Sequence, residues 1–372
     1  MAYAPNRPAR ARPNRSVRAR MGSVLALLAT GLILPLLPEL PDALTPPSAR
    51  AEERSAVVLL YHRFAEERYA STNITADQFA AHMELMRDGG YNFISLPDLA
   101  DRVAANEPVG EKTLTITVDD AYKSFMTHGW PRLKKAGIPT ALFVATDPVD
   151  QGLPSYLSWD NIRTLEKDGV VIGHHTASHL HMPKAGVKAA MADVRRASRR
   201  FDEELGHVPD LFSYPFGEYS LPVREAIIEA GFKAAFAQYS GAVSVDGDRF
   251  SLPRFPLNEN YGGADRFKLV STTRALPVSE VTPQSPIVEA EDNPPLYGFT
   301  LTREVAGIEN MACFPSHLGR KAEVAVLAGK RVEVRFEKPF PKGRNRINCT
   351  LHAGNGRWYW QGHLFLRPGA EE

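Results

Sequence analysis

The sequence predicts an α/β protein, a distorted β/α barrel followed by a small all-β domain. The first observation is that short apolar strands alternate with helical patterns from "AVVLLYHRF" to "SLPRFPL". This alternation implies parallel strands joined by crossover helices. The second is that later segments such as "KRVEVRFE" and "GRWYWQGHLFLRP" alternate at period two, as half-buried β-strands do. A doubly wound open sheet is the alternative for the first part. In either fold, the functional residues lie at the carboxyl ends of the strands.

The chain divides into an N-terminal segment, a large domain, a linker and a small domain. With 372 residues, of which 44% are apolar, it can bury a full core. We expect the β/α domain at 54–271, a proline-rich linker at 272–297 and the β-rich domain at 298–372. The linker is expected because "TTRALPVSEVTPQSPIVEAEDNPP" holds five prolines and shows little periodicity.

Residues 1–51 are typical of an export signal. Six arginines and no acid occur in the first 20 residues, and the apolar run "MGSVLALLATGLILPLLPEL" follows. Ala49 and Ala51 then form a small-x-small cleavage pattern. Pro35 and Pro38 interrupt the run and weaken the alternative of an uncleaved membrane anchor facing outward. We therefore expect an exported protein, periplasmic or secreted.

The charge balance argues against a nucleic-acid partner. The formal net charge of the whole chain is +1, and residues 1–51 contribute seven arginines and two acids. Removing their net +5 leaves the remainder near −4. Such a chain lacks the basic character of a nucleic-acid-binding domain.

The predicted elements of the β/α domain come from short apolar runs and helix caps. Thr75 and Gln78 form a capping box at the start of the first helix, and Gly89 with Gly90 end it. A longer amphipathic helix is predicted over 184–206. The predicted strands are 56–61, 91–96, 113–119, 140–145, 170–174, 210–214, 232–238 and 250–255.

The C-terminal domain carries two notable pairs. Cys313 and Cys349 are the two cysteines of the chain, and in an exported protein we expect them to form a disulfide; two buried thiols are the alternative. Trp358 and Trp360 share one face of a predicted strand, with Tyr359 on the other. Exposed, the two indoles would form a platform for sugar rings; buried, they would be ordinary core.

Two adjacent carboxylates end the third predicted strand. They are Asp119 and Asp120 in "TLTITVDDAYKSF". Like charges this close repel, so one of them must be neutralised, hydrated or bound to a cation. A cation would need further ligands from elsewhere in the chain.

Histidines supply such ligands after the fifth predicted strand. The segment "VIGHHTASHLHM" packs four of the eleven histidines of the chain into eight residues, His174, His175, His179 and His181. Imidazole suits Zn²⁺ and its first-row neighbours. A β/α fold brings this segment and "TVDDAY" to the same face. One carboxylate and two histidines would leave a coordination position for water, as catalytic metal sites do.

Three motifs resemble those of the polysaccharide deacetylase family, the NodB-homology domains of carbohydrate esterase family 4. They are "TVDDAY", "HTASH" and "YPFG" at 214–217. The resemblance covers roughly residues 55 to 270 and implies a distorted β/α barrel.

The resemblance also implies roles for individual residues. Asp119 would be the general base, and the backbone N–H of Phe216 would help to bind the oxyanion. A divalent metal, Zn²⁺ first with Co²⁺ or Ni²⁺ as alternatives, would be held by Asp120, His175 and His179. His174 could replace His175 as a ligand; otherwise His174 and His181 are supporting or surface residues.

The sequence departs from the family pattern at several points. Ser213 stands where the third motif normally begins with an arginine that orients the base, and no clear match to the family's tryptophan and leucine-histidine motifs is present. Arg254 in "LPRFPL" is the nearest substitute for the arginine, with a surface salt-bridge residue as the alternative. His62 in "LLYHRF" resembles the histidine near the start of poly-N-acetylglucosamine deacetylases, which the resemblance implies takes the place of the missing one. It is the expected general acid, and a structural histidine is the alternative.

These residues predict a metal-dependent hydrolase that removes N-acetyl groups from an extracytoplasmic polysaccharide. Poly-N-acetylglucosamine, chitin oligomers and peptidoglycan all present the required acetamide, and pocket shape decides between them. An N-acetylated polysaccharide is thus the expected partner, and a membrane is one only if the N-terminal segment stays uncleaved. Alternatives are a non-catalytic glycan-binding or export-assembly protein with a degenerate site, and an O-acetyl esterase on a xylan-like polymer.

Overall fold

Parallel strands form the central sheet, as the apolar runs predict. The computed structural model describes residues 53–369, so the predicted export signal at 1–51 lies outside the described residues. In chain order, the helices and strands up to residue 270 are β1 (Ser55–Tyr61), β2 (Arg63–Phe64), β3 (Asn73–Ile74), α1 (Ala76–Asp88), β4 (Asn92–Phe93), α2 (Leu96–Ala105), β5 (Thr113–Asp119), a π-helical turn (Phe125–Gly129), α3 (Trp130–Lys135), β6 (Thr140–Val144), α4 (Thr146–Asp150), α5 (Trp159–Lys167), β7 (Val171–His174), α6 (Met182–Ala185), α7 (Val187–Leu205), β8 (Leu211–Ser213), a 3-10 turn (Pro215–Gly217), α8 (Leu221–Glu229), β9 (Ala234–Phe236), β10 (Val243–Ser244), β11 (Phe255–Pro256) and α9 (Ala264–Val270).

The central sheet has nine strands. Its order is β10-β1-β5-β6-β7-β8-β9, with β11 also pairing β1 and β4 also pairing β5. Every pair is parallel except β1 with β10. The sheet curls into a half-barrel, which confirms the predicted distorted β/α barrel. Its buried faces are rich in aliphatic and aromatic side chains, as expected for parallel strands covered by helices.

The register brings the ends of the central strands to one edge. Tyr61 pairs with Val118, so the chain leaves β1 and β5 at the same level. Asp119 lies opposite Phe143 of β6, and His174 lies opposite Phe212 of β8. The loops that follow β1, β5, β7 and β8 therefore start from neighbouring positions.

Helix caps in the sequence agree with the structure, although one predicted helix is divided in two. Thr75 and Gln78 form the predicted capping box of α1. The predicted helix over 184–206 is two helices, because the chain breaks at Gly186 with φ of 80°. The second of them ends at Gly206 in the left-handed conformation that glycine adopts without strain.

Several predicted strands are shorter in the structure, and 91–96 and 250–255 keep the fewest residues. The segment 91–96 keeps only β4, because Ser95 caps α2 and turns the chain into a helix. The segment 250–255 keeps only β11, at its carboxyl end. Pro253 and Pro256 lack the N–H that a strand ladder requires, which limits pairing there.

The remaining residues form a β-sandwich. Its strands are β12 (Arg274–Ala275), β13 (Val278–Thr282), β14 (Tyr297–Leu301), β15 (Ala312–Pro315), β16 (Glu323–Leu327), β17 (Arg331–Arg335), β18 (Gly343–Gly354) and β19 (Arg357–Arg367), with a 3-10 turn at Ile308–Asn310. Two four-stranded sheets, β12-β19-β18-β15 and β13-β14-β17-β16, enclose a separate apolar core. Cys313 and Cys349 lie opposite each other on β15 and β18 and form the expected disulfide.

The stretch at 272–297 is extended, and part of it belongs to the sandwich. β12 pairs with β19, and β13 pairs with β14. Farther along, the N–H of Val288 donates to the carbonyl of Leu366. The stretch thus contributes edge strands to both sheets, while the domain limits stay predictions.

Trp360 joins the two parts of the molecule. It is buried and packs against Phe255 of the barrel, with ring centroids 5.2 Å apart, while the guanidinium of Arg266 lies 4.8 Å from the indole centroid. Tyr359, on the other face of β19, packs against the sandwich core. This burial excludes an exposed sugar platform at Trp360; Trp358 remains partly exposed.

Within residues 53–369, none of the helices combines the length and the apolar character that crossing a membrane requires.

Trp360→Ala should destabilise the protein by about 3–5 kcal/mol, because it removes a buried indole between barrel and sandwich. Trp358→Ala, at a partly exposed position on the same face, should cost much less. The free energy of unfolding in urea measures both. Equal losses would mean that Trp360 does not carry the packing between the two parts.

Candidate metal and catalytic site

Sharp turns after the strands bring the functional side chains together. Asp119 ends β5, and Asp120 follows with φ of 75°, which turns the chain away from the sheet. His175 follows β7, and His179 has φ of 55°. Positive φ is uncommon for residues other than glycine and often occurs where a function requires it.

Asp120, His175 and His179 form a candidate metal-binding triad. One ligand atom from each lies within 4.8 Å of the others. Oδ1 of Asp120 is 3.4 Å from Nε2 of His175 and 3.3 Å from Nε2 of His179. These are the three ligands expected from the sequence.

The buried carboxylate of Asp120 fits a cation site. Its Oδ1 is buried and has no hydrogen-bond partner among the described residues, although burying a charged oxygen without a partner is costly. A divalent cation would compensate that oxygen. One carboxylate and two imidazoles suit Zn²⁺ and its first-row neighbours, and the identity of the metal is open.

A hydrogen bond orients the first imidazole. Nδ1 of His175 lies 2.7 Å from the carbonyl oxygen of Ser213, to which it can only donate. Nε2 then carries the lone pair and faces Asp120. Such an outer hydrogen bond is how proteins fix the tautomer of a metal-binding histidine.

Mutual charge shifts the pKa values of the triad. Burial raises the pKa of Asp120, but the neighbouring imidazoles of His175 and then His179 outweigh burial, so the pKa lies well below its ordinary value. Burial and the neighbouring His175 lower the pKa of His179 to about 4. Burial lowers the pKa of His175, but Asp119 and Asp120 outweigh it and raise the pKa overall. An ionised carboxylate beside a neutral His179 is the state in which these groups bind metal.

Arg254 holds Asp119 through a bidentate ion pair. Nη1 donates to Oδ1 of Asp119 and Nη2 to Oδ2, both at 2.8 Å. Nη2 also donates to Oγ of Ser213 at 2.8 Å, and that hydroxyl donates to Oδ2 of Asp119 at 3.1 Å. Arg254 is completely buried, so the alternative of a surface salt-bridge residue is wrong.

This network explains the departure at Ser213. In the family pattern an arginine occupies that position, whereas here a small hydroxyl stands there and Arg254 reaches Asp119 from the start of β11. Nε of Arg254 donates to the carbonyl of Ala237, which fixes the guanidinium plane. Burial raises the pKa of Asp119, but the charges of Arg254 and then His175 outweigh burial, and the pKa lies below its ordinary value.

His62 lies at the same edge of the sheet. It directly follows β1 and is buried. Burial lowers the pKa of His62, while the charges of Asp120 and then Asp119 oppose that shift. The structure thus brings His62 within electrostatic reach of both carboxylates, and its catalytic role stays a prediction.

Phe216 lies in a strained turn beside the triad. Its φ is 59° and ψ is 3°. Its ring is 4.4 Å from that of His179 and stacks on that of His181 at 3.9 Å. These contacts hold the turn that carries the Phe216 N–H, whose role toward an oxyanion also stays a prediction.

The other two histidines of the segment are not part of the triad. His174 is buried among aromatic rings, and its Nδ1 accepts from the N–H of Thr176. Burial lowers the pKa of His174 to about 3. His181 bonds Glu218 through Nδ1 at 2.8 Å, beside Phe216.

Several neighbours of the site were not predicted. Arg63 lies between the rings of Tyr69 and Tyr122, 3.9 and 3.4 Å from their centroids. Tyr122 is close enough for Asp120 to raise its pKa, although burial is the larger cause. The tyrosine of "TVDDAY" was a local signal for Tyr122, whereas nothing in the sequence linked Arg63 to it.

A curled β/α half-barrel with an aspartate held by arginine beside an Asp-His-His triad defines a class of protein with a candidate metal site, and known proteins of similar sequence and structure are polysaccharide deacetylases. Residues 106–235 match the family model for polysaccharide deacetylase. The chain is 19% identical over 243 residues to the poly-beta-1,6-N-acetyl-D-glucosamine N-deacetylase of Staphylococcus aureus (strain MSSA476), covering 58% of this chain and 83% of that protein.

Solved structures agree with this match. IcaB from Ammonifex degensii has a TM-score of 0.51 and 26% identity, covering 58% of this chain and 97% of that one. The Streptococcus pyogenes deacetylase PplD in complex with acetate has a TM-score of 0.53 and 20% identity, covering 57% of this chain and 96% of that one, and shows a shared fold. The predicted resemblance to the polysaccharide deacetylase family is confirmed, and the matching relatives are polysaccharide deacetylases.

His175→Ala should abolish stoichiometric metal binding, because it removes one of the three ligands. His174→Ala should retain the metal despite the loss of core packing. Metal content after dialysis against Zn²⁺ measures both. Loss of metal only in the His174 variant would reassign the ligand.

Arg254→Gln should lower kcat at least about tenfold, because Asp119, the predicted base, loses its orienting partner. The guanidinium of Arg254 lowers the pKa of Asp119, so removing it should raise that pKa. As the solution is acidified, the variant should therefore lose activity at a higher pH than the native protein does. Profiles of kcat against pH measure the displacement.

Ser213→Ala is the matched control for Arg254→Gln, since it removes one hydrogen bond to Asp119 and keeps the charge. Ser213→Ala should shift the acidic limb of the profile of kcat against pH by less than Arg254→Gln does. Arg254→Lys keeps a buried charge and serves if the glutamine variant does not fold. An unchanged acid side in both arginine variants would contradict the role of Arg254.

Proposed function

We propose that this protein is a metal-dependent N-deacetylase of an N-acetylated polysaccharide outside the cytoplasm. The observation that carries the proposal is the buried Asp119–Arg254 pair next to the triad of Asp120, His175 and His179. A degenerate binding protein would have no need to keep a base, its orienting arginine and three ligands together. The intact set therefore favours an enzyme.

Each residue has a distinct task in this proposal. A divalent metal ion bound by the triad would supply Lewis-acid chemistry, polarising a carbonyl and acidifying water. Asp119, kept ionised by Arg254, accepts the proton of the attacking water. The N–H of Phe216 donates to the negative charge that develops on the amide oxygen, and such donors typically contribute about 3 kcal/mol.

The amine leaving group needs a proton, and His62 is the proposed donor. An amide anion is too poor a leaving group to depart unprotonated, and histidine titrates closest to neutrality. Desolvation disfavours the protonated ring, whereas Asp120 and Asp119 favour it. Burial prevails, so the pKa of His62 lies below its ordinary value, and the two carboxylates limit that fall.

An N-acetylglucosamine polymer is the proposed substrate. The S. aureus relative is named for poly-beta-1,6-N-acetyl-D-glucosamine, and its match covers 58% of this chain. Chitin oligomers and peptidoglycan carry the same acetamide and are the other candidate substrates. The disulfide and the arginine-rich start of the chain support export to the periplasm or the medium.

Acetate release tests the proposal directly. Purified protein is incubated with poly-β-1,6-N-acetylglucosamine or with β-1,4-linked N-acetylglucosamine oligomers, with and without added Zn²⁺ or Co²⁺. We expect metal-dependent release that Asp119→Asn abolishes and that His62→Ala reduces by about two orders of magnitude or more.

Controls separate the remaining alternatives. O-acetylated xylan in a parallel reaction identifies an esterase, which would release acetate there and not from the N-acetylated oligomers. No release from any glycan by protein with stoichiometric metal would favour a binding or assembly role. Release by His62→Ala within a few-fold of the native rate would remove His62 as the acid.

A further inference from the structure

The β-sandwich extends an arginine to the rim of the candidate site. Cζ of Arg344 on β18 lies 5.4 Å from the ring centroid of Phe216. Its Nε is 3.5 Å from Oε1 of Glu218, whose other oxygen bonds His181. The C-terminal part of the chain thus contacts the turn beside the metal triad.

A second arginine lies on the same face of β18. Ile347 and Cys349 point into the sandwich core, so the alternate residues Arg344 and Arg346 point away from it. On that same face, Asn348 accepts a hydrogen bond from the indole of Trp360, which packs on the barrel. Both guanidiniums therefore lie on the side of β18 that faces the barrel.

Arg346 forms no ion pair through its guanidinium with any residue that the structure describes. The contacts described within residues 53–369 include a backbone hydrogen bond from its N–H to Ser316, but no hydrogen bond or ion pair of its guanidinium. Burial lowers the pKa of Arg346, and so does the charge of Arg344, while Tyr261 and Glu218 oppose these effects. A partly buried cation next to a second cation is an unfavourable arrangement in the absence of an anion.

Within residues 53–369, Glu218 is a carboxylate whose charge reaches both arginines, and it also bonds His181. It lies within ion-pair distance of Arg344 but forms no ion pair with Arg346. Guanidinium is the side-chain group best suited to bind carboxylate or phosphate oxygens, because its planar donors can make two parallel hydrogen bonds.

We propose that Arg344 and Arg346 form a subsite for an anionic group of the glycan, a carboxylate or a phosphate on a sugar next to the one whose acetamide lies at the metal triad. Phe216 lies between this subsite and the triad. Its ring centroid is 4.4 Å from that of His179 and 5.4 Å from Cζ of Arg344. The substrate would then be an acidic N-acetylated glycan. This inference rests on the proposed function and narrows its substrate class.

Binding of matched oligosaccharides tests the subsite. The first probe is a hyaluronan tetrasaccharide, in which N-acetylglucosamine alternates with glucuronate, and its neutral control is the same tetrasaccharide with the carboxylates reduced to alcohols. A tetramer of N-acetylglucosamine with a terminal phosphate, compared with the unmodified tetramer, distinguishes phosphate from carboxylate. Dissociation constants are measured by calorimetry on the zinc-loaded full chain carrying Asp119→Asn, which prevents turnover.

We expect one acidic probe to bind about tenfold or more tightly than its neutral counterpart. Arg346→Gln and Arg344→Gln should each remove most of that preference while leaving binding of the neutral probe within about twofold. Arg335→Gln is the matched control, since Arg335 lies on β17 in the other sheet and its side chain is 67% exposed. It should keep the preference.

Two results would overturn the subsite: no preference for either acidic probe, or equal weakening of acidic and neutral probes in the arginine variants. Equal weakening of both probes would mean that the two arginines stabilise the turn at Phe216 and do not bind an anion. Acetate release by the native chain from neutral N-acetylglucosamine oligomers tests the proposed function separately. If the chain prefers an acidic probe but releases acetate from no glycan, the proposed deacetylase activity is wrong and the proposed anion subsite stands.

Discussion

The bidentate pair between Asp119 and Arg254 is the interaction on which the candidate site depends. Both groups are buried, and a buried charge is tolerated only when it is paired and its remaining hydrogen bonds are satisfied. Here the guanidinium satisfies both carboxylate oxygens, the Ser213 hydroxyl and the Ala237 carbonyl. One side chain therefore ties the ends of β5, β8 and β9 to the start of β11. With Asp119 neutralised in this way, Asp120 remains available for a cation.

Local patterns in the sequence were sufficient to predict the strand ends, and the family resemblance then selected the triad from the clustered acids and histidines. Buried parallel strands are continuous apolar runs, and their polar ends follow directly in the chain, so Asp120 and His175 could be assigned to one edge before any contact was known. Arg254 was predicted only as the nearest substitute, because its partner is 135 residues away and tertiary packing alone brings them together. Arg344 and Glu218 were not predicted at all. Nothing near either residue marks a contact between a sandwich strand and a barrel loop.

The β-sandwich is closely integrated with the barrel. Trp360 packs on Phe255, β12 contacts the region of β1 through a hydrogen bond from Ala275 to Ser55, and Arg344 contacts the turn at Phe216. A prediction that treats the C-terminal part as a separate module on a linker misses these contacts. Period-two patterning shows which residues alternate, but not which of the two faces a neighbouring domain covers.

Ser213 and Arg254 together have a consequence for how such a site is recognised. In the family pattern that this chain resembles, an arginine stands at the position of Ser213, whereas here Arg254 holds Asp119 from 41 residues farther along the chain. An arginine at 213 would place a second cation where the Ser213 hydroxyl now bonds both Asp119 and Arg254. The three-dimensional position of the cation therefore marks such a site better than the place of the arginine in the sequence does.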